Sequence, residues 1–233
     1  TKIRHMCRGK NCCSELNQDT TKWDIYCPLR QPIWMNEQIN IFVDSVNDLI
    51  GWNRDACLFK LNSIRDKEIQ TWYIEHGQMS GWHRNNKLKI PSPKIVDTEK
   101  RDVLRAPKKY QNEVFMRDKY ICQYCGGRLI SQKFLQTFTK KINSDIFKRG
   151  NTNVDTHGII HLTWPVADHV IPWNLWGRTD LSNLVACCAT CNYWKAGYTI
   201  EQLGLENPFN KNKNYKTDWD GLNSKLDALK KLT

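Results

Sequence analysis

The stretch Asp168-His169-Val170-Ile171-Pro172 is followed by Asn183-Leu184-Val185-Ala186 and then by Cys188-Ala189-Thr190-Cys191-Asn192-Tyr193-Trp194-Lys195. Upstream, Cys122-Gln123-Tyr124-Cys125-Gly126-Gly127 supplies another pair of cysteines with the same Cys-x-x-Cys spacing. The cysteine pairs bracket a carboxylate, an imidazole and one amide, and a second amide directly follows the last cysteine. This pattern is typical of a metal-stabilised site, and the rest of the chain is interpreted around it.

The cysteine pairs predict a zinc site with the ligand number of a tetrahedral zinc–thiolate centre. The predicted ligands are Cys122, Cys125, Cys188 and Cys191. Gly126-Gly127 supplies the tight turn that such a pair requires. Four thiolates leave no position for substrate, so the zinc is expected to be structural and to contribute on the order of 10 kcal/mol to folding. Cys187 competes with Cys188, but the two-residue spacing favours Cys188 and leaves Cys187 as a buried thiol.

The polar residues between and beside the cysteines have the parts needed to cleave a phosphodiester. Such cleavage needs a base that activates water and a cation that neutralises charge on the transition state and the leaving oxygen. The candidates are Asp168, His169, Asn183 and Asn192. A lone histidine is usually a satisfied core residue, but here it coincides with the other three and with both cysteine pairs. His157 and His161 are out of register with this pattern, and surface or strand positions are predicted for them.

The same residues resemble the HNH nuclease family. The resemblance covers about residues 101–207 and depends on four short segments. They are Arg117-Asp118, Asp168-His169-Val170-Ile171-Pro172, Asn183-Leu184-Val185, and Cys191-Asn192 followed by Lys195. The resemblance implies a ββα-metal nuclease domain. With the four-cysteine zinc site that staples it and a mainly helical N-terminal module, the predicted fold class is α+β.

The resemblance also implies a role for each polar residue of the motif. His169, on the first strand or at its end, would be the general base, and Asp168 would bind a catalytic divalent cation. Asn183 would hold the loop between the strands and orient His169, while Asn192 would be the second metal ligand. Many family members carry histidine at this last position. The amide oxygen of Asn192 is a hard ligand, which favours Mg²⁺ or Mn²⁺.

Four residues are predicted to contact DNA. Lys195 lies one helical turn beyond Asn192 and could bind the scissile or a neighbouring phosphate. Arg178 is a second candidate, although a solvated loop arginine is an equally good interpretation. Trp82 and Arg84 lie in a polar run where a base or phosphate contact is expected, with core or interface packing as the alternative for the tryptophan.

Charge and composition favour a nucleic-acid partner. The chain has 35 Lys and Arg against 24 Asp and Glu, a formal net charge of +11 at pH 7. A folded basic surface suits a polyanion, most simply nucleic acid, although a protein can be basic for other reasons. Double-stranded DNA is the expected partner. No stretch approaches the roughly 20 apolar residues of a membrane span, so no membrane partner and a cytoplasmic location are expected.

Cysteine usage favours zinc over disulfides. The chain has 10 cysteines, but its N-terminal residues lack the apolar segment of a signal peptide. A second zinc site is one interpretation of the four N-terminal cysteines, which are Cys7, Cys12, Cys13 and Cys27. Because the adjacent Cys12 and Cys13 would rarely both ligate one metal, reduced or buried thiols are the favoured alternative.

Hydrophobic periodicity divides the chain. Residues 1–100 are interpreted as a helical, tryptophan-rich module for target recognition. A helix is predicted from Asn36 to Ile50, and another from Ser63 to about His76. A basic, proline-containing connector at residues 87–103 marks the boundary.

The nuclease domain is assigned to residues 101–210. Within it, residues 131–158 are interpreted as an insertion carrying a helix that begins at Ser131. Thr199 is predicted to begin a capped helix, and residues 211–233 are assigned to a C-terminal helix that packs on the core.

These expectations converge on a metal-dependent DNA endonuclease, of restriction or defence type, in which His169 activates water. One motif cuts one strand, so double-strand cleavage would suggest a homodimer. A non-catalytic, zinc-stapled nucleic-acid-binding or adaptor module is the alternative class, but it would have no need for Asp168 and His169. An RNA-directed HNH nuclease is the nearest enzymatic alternative.

Overall fold

The computed structural model describes residues 31–74, 105–201, 203, 205–210 and 217–232. The α-helices in this part of the chain are α1 (Ile33–Ile50), α2 (Arg54–Ser63), α3 (Asp66–Tyr73), α4 (Gln111–Arg117), α5 (Gln132–Ile142), α6 (Gly158–Thr163), α7 (Ala189–Lys195) and α8 (Leu226–Lys230). The strands are β1 (Pro165–His169) and β2 (Leu184–Cys188), with short 3-10 helices at Trp173–Leu175 and Asn223–Lys225. The predicted α+β class is confirmed.

Some predictions lie outside the described residues. They concern Trp82, Arg84, the four N-terminal cysteines and the connector at residues 87–103.

The strands β1 and β2 form an antiparallel ribbon that leads directly into α7, the order expected of a ββα finger. Pro165 pairs with Cys188 at one end of the ribbon, and His169 pairs with Leu184 at the other. Every residue of β2 is buried. The ribbon therefore lies inside the protein, and His169 is the last residue of its first strand, as predicted.

The N-terminal helices confirm the predicted helical character but have different bounds. Helix α1 begins one turn before the predicted cap Asn36, because Pro32 provides an extended backbone directly ahead of Ile33. Helix α2 was not predicted; its N-cap Asn53 accepts a hydrogen bond from the N–H of Ala56 at 3.0 Å. Ser63 ends α2, and the prediction that it begins the next helix is wrong.

One hydrophobic cluster joins helices from both sides of the predicted domain boundary. Phe42 of α1 packs edge-on against Phe138 of α5, with ring centroids 5.0 Å apart, and stacks on Phe147 at 5.1 Å. All three rings are fully buried, and burial of each contributes about 1.5–3 kcal/mol. Residues 131–158, interpreted as an insertion, thus supply side chains to the shared core.

Helix α6 corrects the prediction of surface or strand positions for two histidines. His157 and His161 are both buried. His157 caps α6 by accepting at Nδ1 a hydrogen bond from the N–H of Ile159 at 3.2 Å, and the His161 ring stacks on Tyr73 with 4.1 Å between centroids. A helix of six residues is too short for its hydrophobic periodicity to be recognised in the sequence.

The described residues of the C-terminal part are less helical than predicted. Thr199 begins a hydrogen-bonded turn instead of a helix, with the N–H of Leu203 donating to its carbonyl at 3.2 Å. Helix α8 is short, but it buries Leu226 and Leu229 and contacts α5, as expected of a C-terminal helix that packs on the core. Within the described ranges, no helix has the length and apolar character required to cross a membrane.

Candidate functional site

Four cysteines form the first part of the site. The Sγ atoms of Cys122, Cys125, Cys188 and Cys191 all lie within 4.8 Å of one another, and those of Cys125 and Cys188 are 3.9 Å apart. Four Zn–S bonds of about 2.3 Å in tetrahedral geometry would separate the sulfurs by about 3.8 Å. The cluster therefore fits one structural metal ion such as zinc. Cys187 is buried and is not part of it, as predicted.

The backbone shapes both cysteine pairs for this role. The N–H of Gly127 donates to Cys125 Sγ, and the N–H of Cys191 donates to Cys188 Sγ, both at 3.4 Å. Gly126 has φ +77°, a left-handed conformation that glycine adopts without steric cost. Because N–H donors stabilise negative charge on sulfur, both turns favour thiolates.

The thiols also perturb one another's pKa values. Burial raises the pKa of Cys122, but hydrogen bonds from Cys125, Cys188 and Cys191 outweigh burial and hold this pKa well below its ordinary value. The hydrogen bond to Cys122 raises the pKa of Cys125 well above its ordinary value, and burial does the same for Cys191. A divalent cation adds positive charge that favours the thiolate form of all four cysteines.

A buried ion pair fastens β2 next to this cluster. Arg117 donates from Nε and Nη2 to the two carboxylate oxygens of Asp118, both at 2.9 Å. Asp118 also accepts the N–H of Ala186 at 2.8 Å, while Arg117 donates to the carbonyls of Leu181 and Leu184 at 2.8 and 2.6 Å. The Arg117-Asp118 segment of the motif thus holds the start of the strand that leads to the second cysteine pair.

The second part of the site lies at the end of β1. His169 is largely buried, and its Nε2 lies 2.9 Å from the hydroxyl of Thr179, which is also buried. Thr179 belongs to the loop between β1 and β2. The loop therefore folds back on the imidazole and limits its rotation.

Asn183 closes this loop. Its Oδ1 accepts the N–H of Ile171 at 2.8 Å, and its Nδ2 donates to the carbonyls of Ile171 and Arg178, both at 2.9 Å. A Cβ on Gly177 would lie 1.8 Å from the carbonyl oxygen of Ile171, so only glycine fits where the loop closes. The amide of Asn183 holds the loop whose Thr179 contacts His169.

Asp168 precedes His169. It is also buried, but its side chain makes a different set of contacts. The hydroxyl of Tyr124 donates to its Oδ2 at 2.7 Å, and Lys195 Nζ lies 3.2 Å from the same oxygen. Burial, followed by the charge of Asp168, raises the pKa of Tyr124 well above its ordinary value, so this hydroxyl keeps its proton. The carboxylate is thus held by one neutral donor and one cation.

The position of Lys195 requires a correction. Its side chain is fully buried, and Nζ donates to the carbonyl of His169 at 2.7 Å besides pairing with Asp168. A buried ammonium with two such partners is not on the surface where a phosphate would bind. The predicted phosphate contact by Lys195 is therefore not supported by this geometry, which assigns the side chain to the interior of the site.

The remaining predicted residues lie nearer the surface. Asn192 is on α7 and half-buried. Arg178 is in the loop, with 56% of its side chain exposed and its Nε 2.6 Å from Asp180. The structure brings Asp168, His169 and Lys195 together with the loop held by Asn183, whereas Trp82 and Arg84 lie outside the described residues.

Comparison with known proteins supports the predicted family. Residues 165–195 match the model of the HNH endonuclease family. The match begins at the first residue of β1 and ends at the last residue of α7, so it covers the whole ββα unit. No curated protein and no solved structure matches the chain.

The ββα unit of this chain therefore matches the HNH endonuclease domain, and the predicted resemblance is confirmed. The domain supports a nuclease-family function with a nucleic acid as substrate. The first cysteine pair lies outside the matched residues but contributes half of the thiol cluster.

Sequence reasoning missed two contacts of this site, those made by Tyr124 and Thr179. Tyr124 was visible as the aromatic residue inside the first Cys-x-x-Cys pair, but its spacing from Asp168 along the chain gave no sign of a contact. Thr179 is a short polar residue in a 14-residue loop spanning 170–183, and nothing local distinguishes it from its neighbours.

Proposed function

We propose that this protein is a metal-dependent DNA endonuclease that hydrolyses phosphodiester bonds, with His169 as general base. The observation that carries the proposal is the arrangement at the end of β1. There, an imidazole contacted by Thr179 follows a buried carboxylate, within the ββα unit that matches the HNH family.

The contact with Thr179 suggests which nitrogen acts as the base. When Nε2 carries the proton and donates it to the Thr179 hydroxyl, Nδ1 holds the lone pair. Nδ1 then takes a proton from the attacking water. General base catalysis of this kind contributes about 10²- to 10⁴-fold to a rate.

Asp168 and Asn192 would hold the catalytic cation. A carboxylate and an amide oxygen are hard ligands that suit Mg²⁺ or Mn²⁺. Bound there, the cation would supply positive charge to the transition state and the leaving oxygen. Asn183 holds the loop behind His169, so the base is oriented before substrate binds.

The four-thiolate site serves folding in this scheme. Its closed ligand set gives zinc no open position for substrate, and its turns hold β2 and the start of α7. Zinc and the catalytic cation are thus assigned to separate sites.

The net charge of +11 supports binding to double-stranded DNA. Arg178, exposed beside the proposed base, would contact a phosphate, and Trp82 and Arg84 of the N-terminal module would contribute to target recognition. Residues 101–210 would cut and residues 1–100 would recognise the target, as in a restriction or defence nuclease. A homodimer would then supply the second site for double-strand cleavage.

Cleavage of supercoiled plasmid tests this proposal. Purified protein is incubated with plasmid with and without Mg²⁺ or Mn²⁺, beside His169→Ala and the control His161→Ala. Cation-dependent nicking should fall by 10²-fold or more in His169→Ala. The control, measured below its melting temperature, should retain cleavage because its imidazole contacts Tyr73 and the carbonyl of Asn153, and neither is proposed to act in cleavage.

The same experiment separates the alternatives. Cleavage of RNA but not of plain or modified DNA would replace DNA by RNA as the substrate. Cation-independent retention of DNA on a gel without cleavage of either nucleic acid would favour the zinc-stapled binding module.

A further inference from the structure

We infer that Tyr124 is a positioning residue that connects the cysteine cluster to the catalytic centre by fixing the carboxylate of Asp168 through Oδ2, which leaves Oδ1 for the catalytic cation. This inference rests on the proposed function of Asp168 as a ligand for Mg²⁺ or Mn²⁺. Tyr124 belongs to the first cysteine pair, which lies outside the residues that match the HNH family.

The contacts of Asp168 are unevenly divided between its two oxygens. The Tyr124 hydroxyl at 2.7 Å and Lys195 Nζ at 3.2 Å both contact Oδ2. Within the described ranges, no hydrogen bond or ion pair involves Oδ1. Two donors on one oxygen fix the plane of the carboxylate, and a carboxylate that ligates a metal is commonly oriented in this way by its outer hydrogen bonds.

Tyr124 can hold this position because the turn around it is fixed on both sides. It lies between Cys122 and Cys125, whose sulfurs are in the thiol cluster. The preceding residue, Gln123, donates its N–H to the carbonyl of Ala186 in β2 at 2.8 Å. A metal ion bound to the cysteines would therefore also fix the backbone from which the Tyr124 hydroxyl reaches Asp168.

Lys195 completes the arrangement from the other side. Its buried ammonium compensates the charge of Asp168 and also bonds the carbonyl of His169. Of the two donors to Asp168, Tyr124 is uncharged and Lys195 is charged. The Tyr124 hydroxyl can therefore be removed without leaving a buried charge unpaired. Tyr124 is thus the better position for a test.

Tyr124→Phe removes only the hydroxyl, and Tyr110→Phe is the matched control at a half-buried tyrosine of the same core. Binding of Mn²⁺ to the zinc-loaded protein is measured by titration calorimetry, and cleavage is measured as a function of Mn²⁺ concentration. We expect Tyr124→Phe to weaken Mn²⁺ affinity by about 10-fold or more and to shift the cleavage curve to the same extent, with zinc content and melting temperature unchanged. Tyr110→Phe should match the wild type.

The Asp168→Asn variant tests whether Tyr124 acts through Asp168. If Tyr124 acts through Asp168, Tyr124→Phe should have no further effect on Mn²⁺ binding in an Asp168→Asn background. An additive effect would contradict the inference. Loss of zinc in Tyr124→Phe would also contradict it, because the hydroxyl would then serve the cysteine turn instead.

The outcomes also separate this inference from the proposed function. If the wild type binds Mn²⁺ and cuts nucleic acid while Tyr124→Phe does both equally well, only the inference is wrong. If the zinc-loaded wild type binds no Mn²⁺ and cuts neither DNA nor RNA, both are wrong.

Discussion

The two ends of the β ribbon differ in what holds their functional groups in place. At one end, where Cys188 pairs with Pro165, four thiols face one another in an interior that a single ion would hold together. At the other end, about 13 Å away along the strands, His169 is held by a threonine hydroxyl and by a loop that one asparagine closes. The first end has the ligands for one ion, whereas the second is held by several separate hydrogen bonds.

This difference predicts how each end responds to substitution. A metal-dependent cluster should fail as a unit, because every ligand is needed to bind the ion. A hydrogen-bonded site should lose activity stepwise, because each contact contributes separately. The two ends are nevertheless connected, since Tyr124 and Lys195 both reach Asp168.

The largest effect is expected at the metal end. Cys188→Ala should abolish zinc binding. The loss of folding free energy should be on the order of 10 kcal/mol, which is comparable to the whole stability of a domain. The neighbouring Cys187→Ala is a matched control that should retain zinc and lose about 1 kcal/mol. Zinc content and far-UV circular dichroism measure both. Equal loss of zinc in the two variants would mean that the ligand assignment is wrong.

Loss of the Arg117–Asp118 ion pair that holds β2 should produce the next largest effect. Asp118→Ala leaves Arg117 and the N–H of Ala186 without their buried partner, which should cost about 3–5 kcal/mol in unfolding free energy. Urea denaturation of the zinc-loaded protein measures this loss. The exposed pair Asp227 and Lys230 provides the control, and Asp227→Ala should leave the urea midpoint unchanged. Similar midpoints for both variants would show that the buried pair does not hold the strand.

His157, a buried histidine outside the ribbon, extends the comparison to the pH dependence of stability. Burial lowers the pKa of His157 to about 4 and outweighs the carboxylate of Asp66 at 3.7 Å. The unfolded chain binds a proton near pH 6.5, so between these values it binds more protons than the folded state. Unfolding free energy should therefore fall by about 3 kcal/mol as the pH falls from 6.5 to 4.

His157→Asn tests this dependence, since asparagine retains an acceptor for the helix cap but does not titrate. Urea midpoints measured between pH 4 and 7 should depend less steeply on pH in this variant than in the wild type. Identical slopes would assign the acid sensitivity to other groups.

The smallest effect is expected at the catalytic end. Thr179→Val keeps the shape of the side chain but removes the hydroxyl that contacts His169, so kcat should fall about 10-fold with little change in stability. Thr139→Val is the control, because its hydroxyl only bonds the carbonyl of Leu135 within α5. An unchanged kcat in Thr179→Val would mean that the loop does not orient the base.

The sequence predicted those parts of the site whose spacing is local. Cys188 and Cys191 are one helical turn apart, and Asp168 and His169 are adjacent, so neither pair needs tertiary information to be recognised. The helix from Ser131 was also predictable, because its apolar residues recur at helical spacing and Ser131 caps it by accepting from the N–H of Phe134. The six-residue helix α6 gave no comparable signal.

The sequence did not reveal which side chains are buried at two places in the chain. Lys195 was expected at a phosphate because it lies one helical turn beyond Asn192, yet here it is fully buried against Asp168. Residues 131–158 were interpreted as an insertion, and their place in the core could not be predicted, since Phe138 and Phe147 pack on Phe42. Both outcomes depend on contacts with distant parts of the chain.

By itself, the sequence determined the two Cys-x-x-Cys pairs and the adjacent carboxylate and imidazole, because short spacings place the members of each pair together. The ββα order followed from the resemblance to the HNH family. Only the tertiary structure decided that Tyr124 meets Asp168 across 44 residues and that Thr179 returns to His169. The physical reason is that a hydrogen bond between distant residues depends on how the whole core packs, and residue spacing carries no record of that packing.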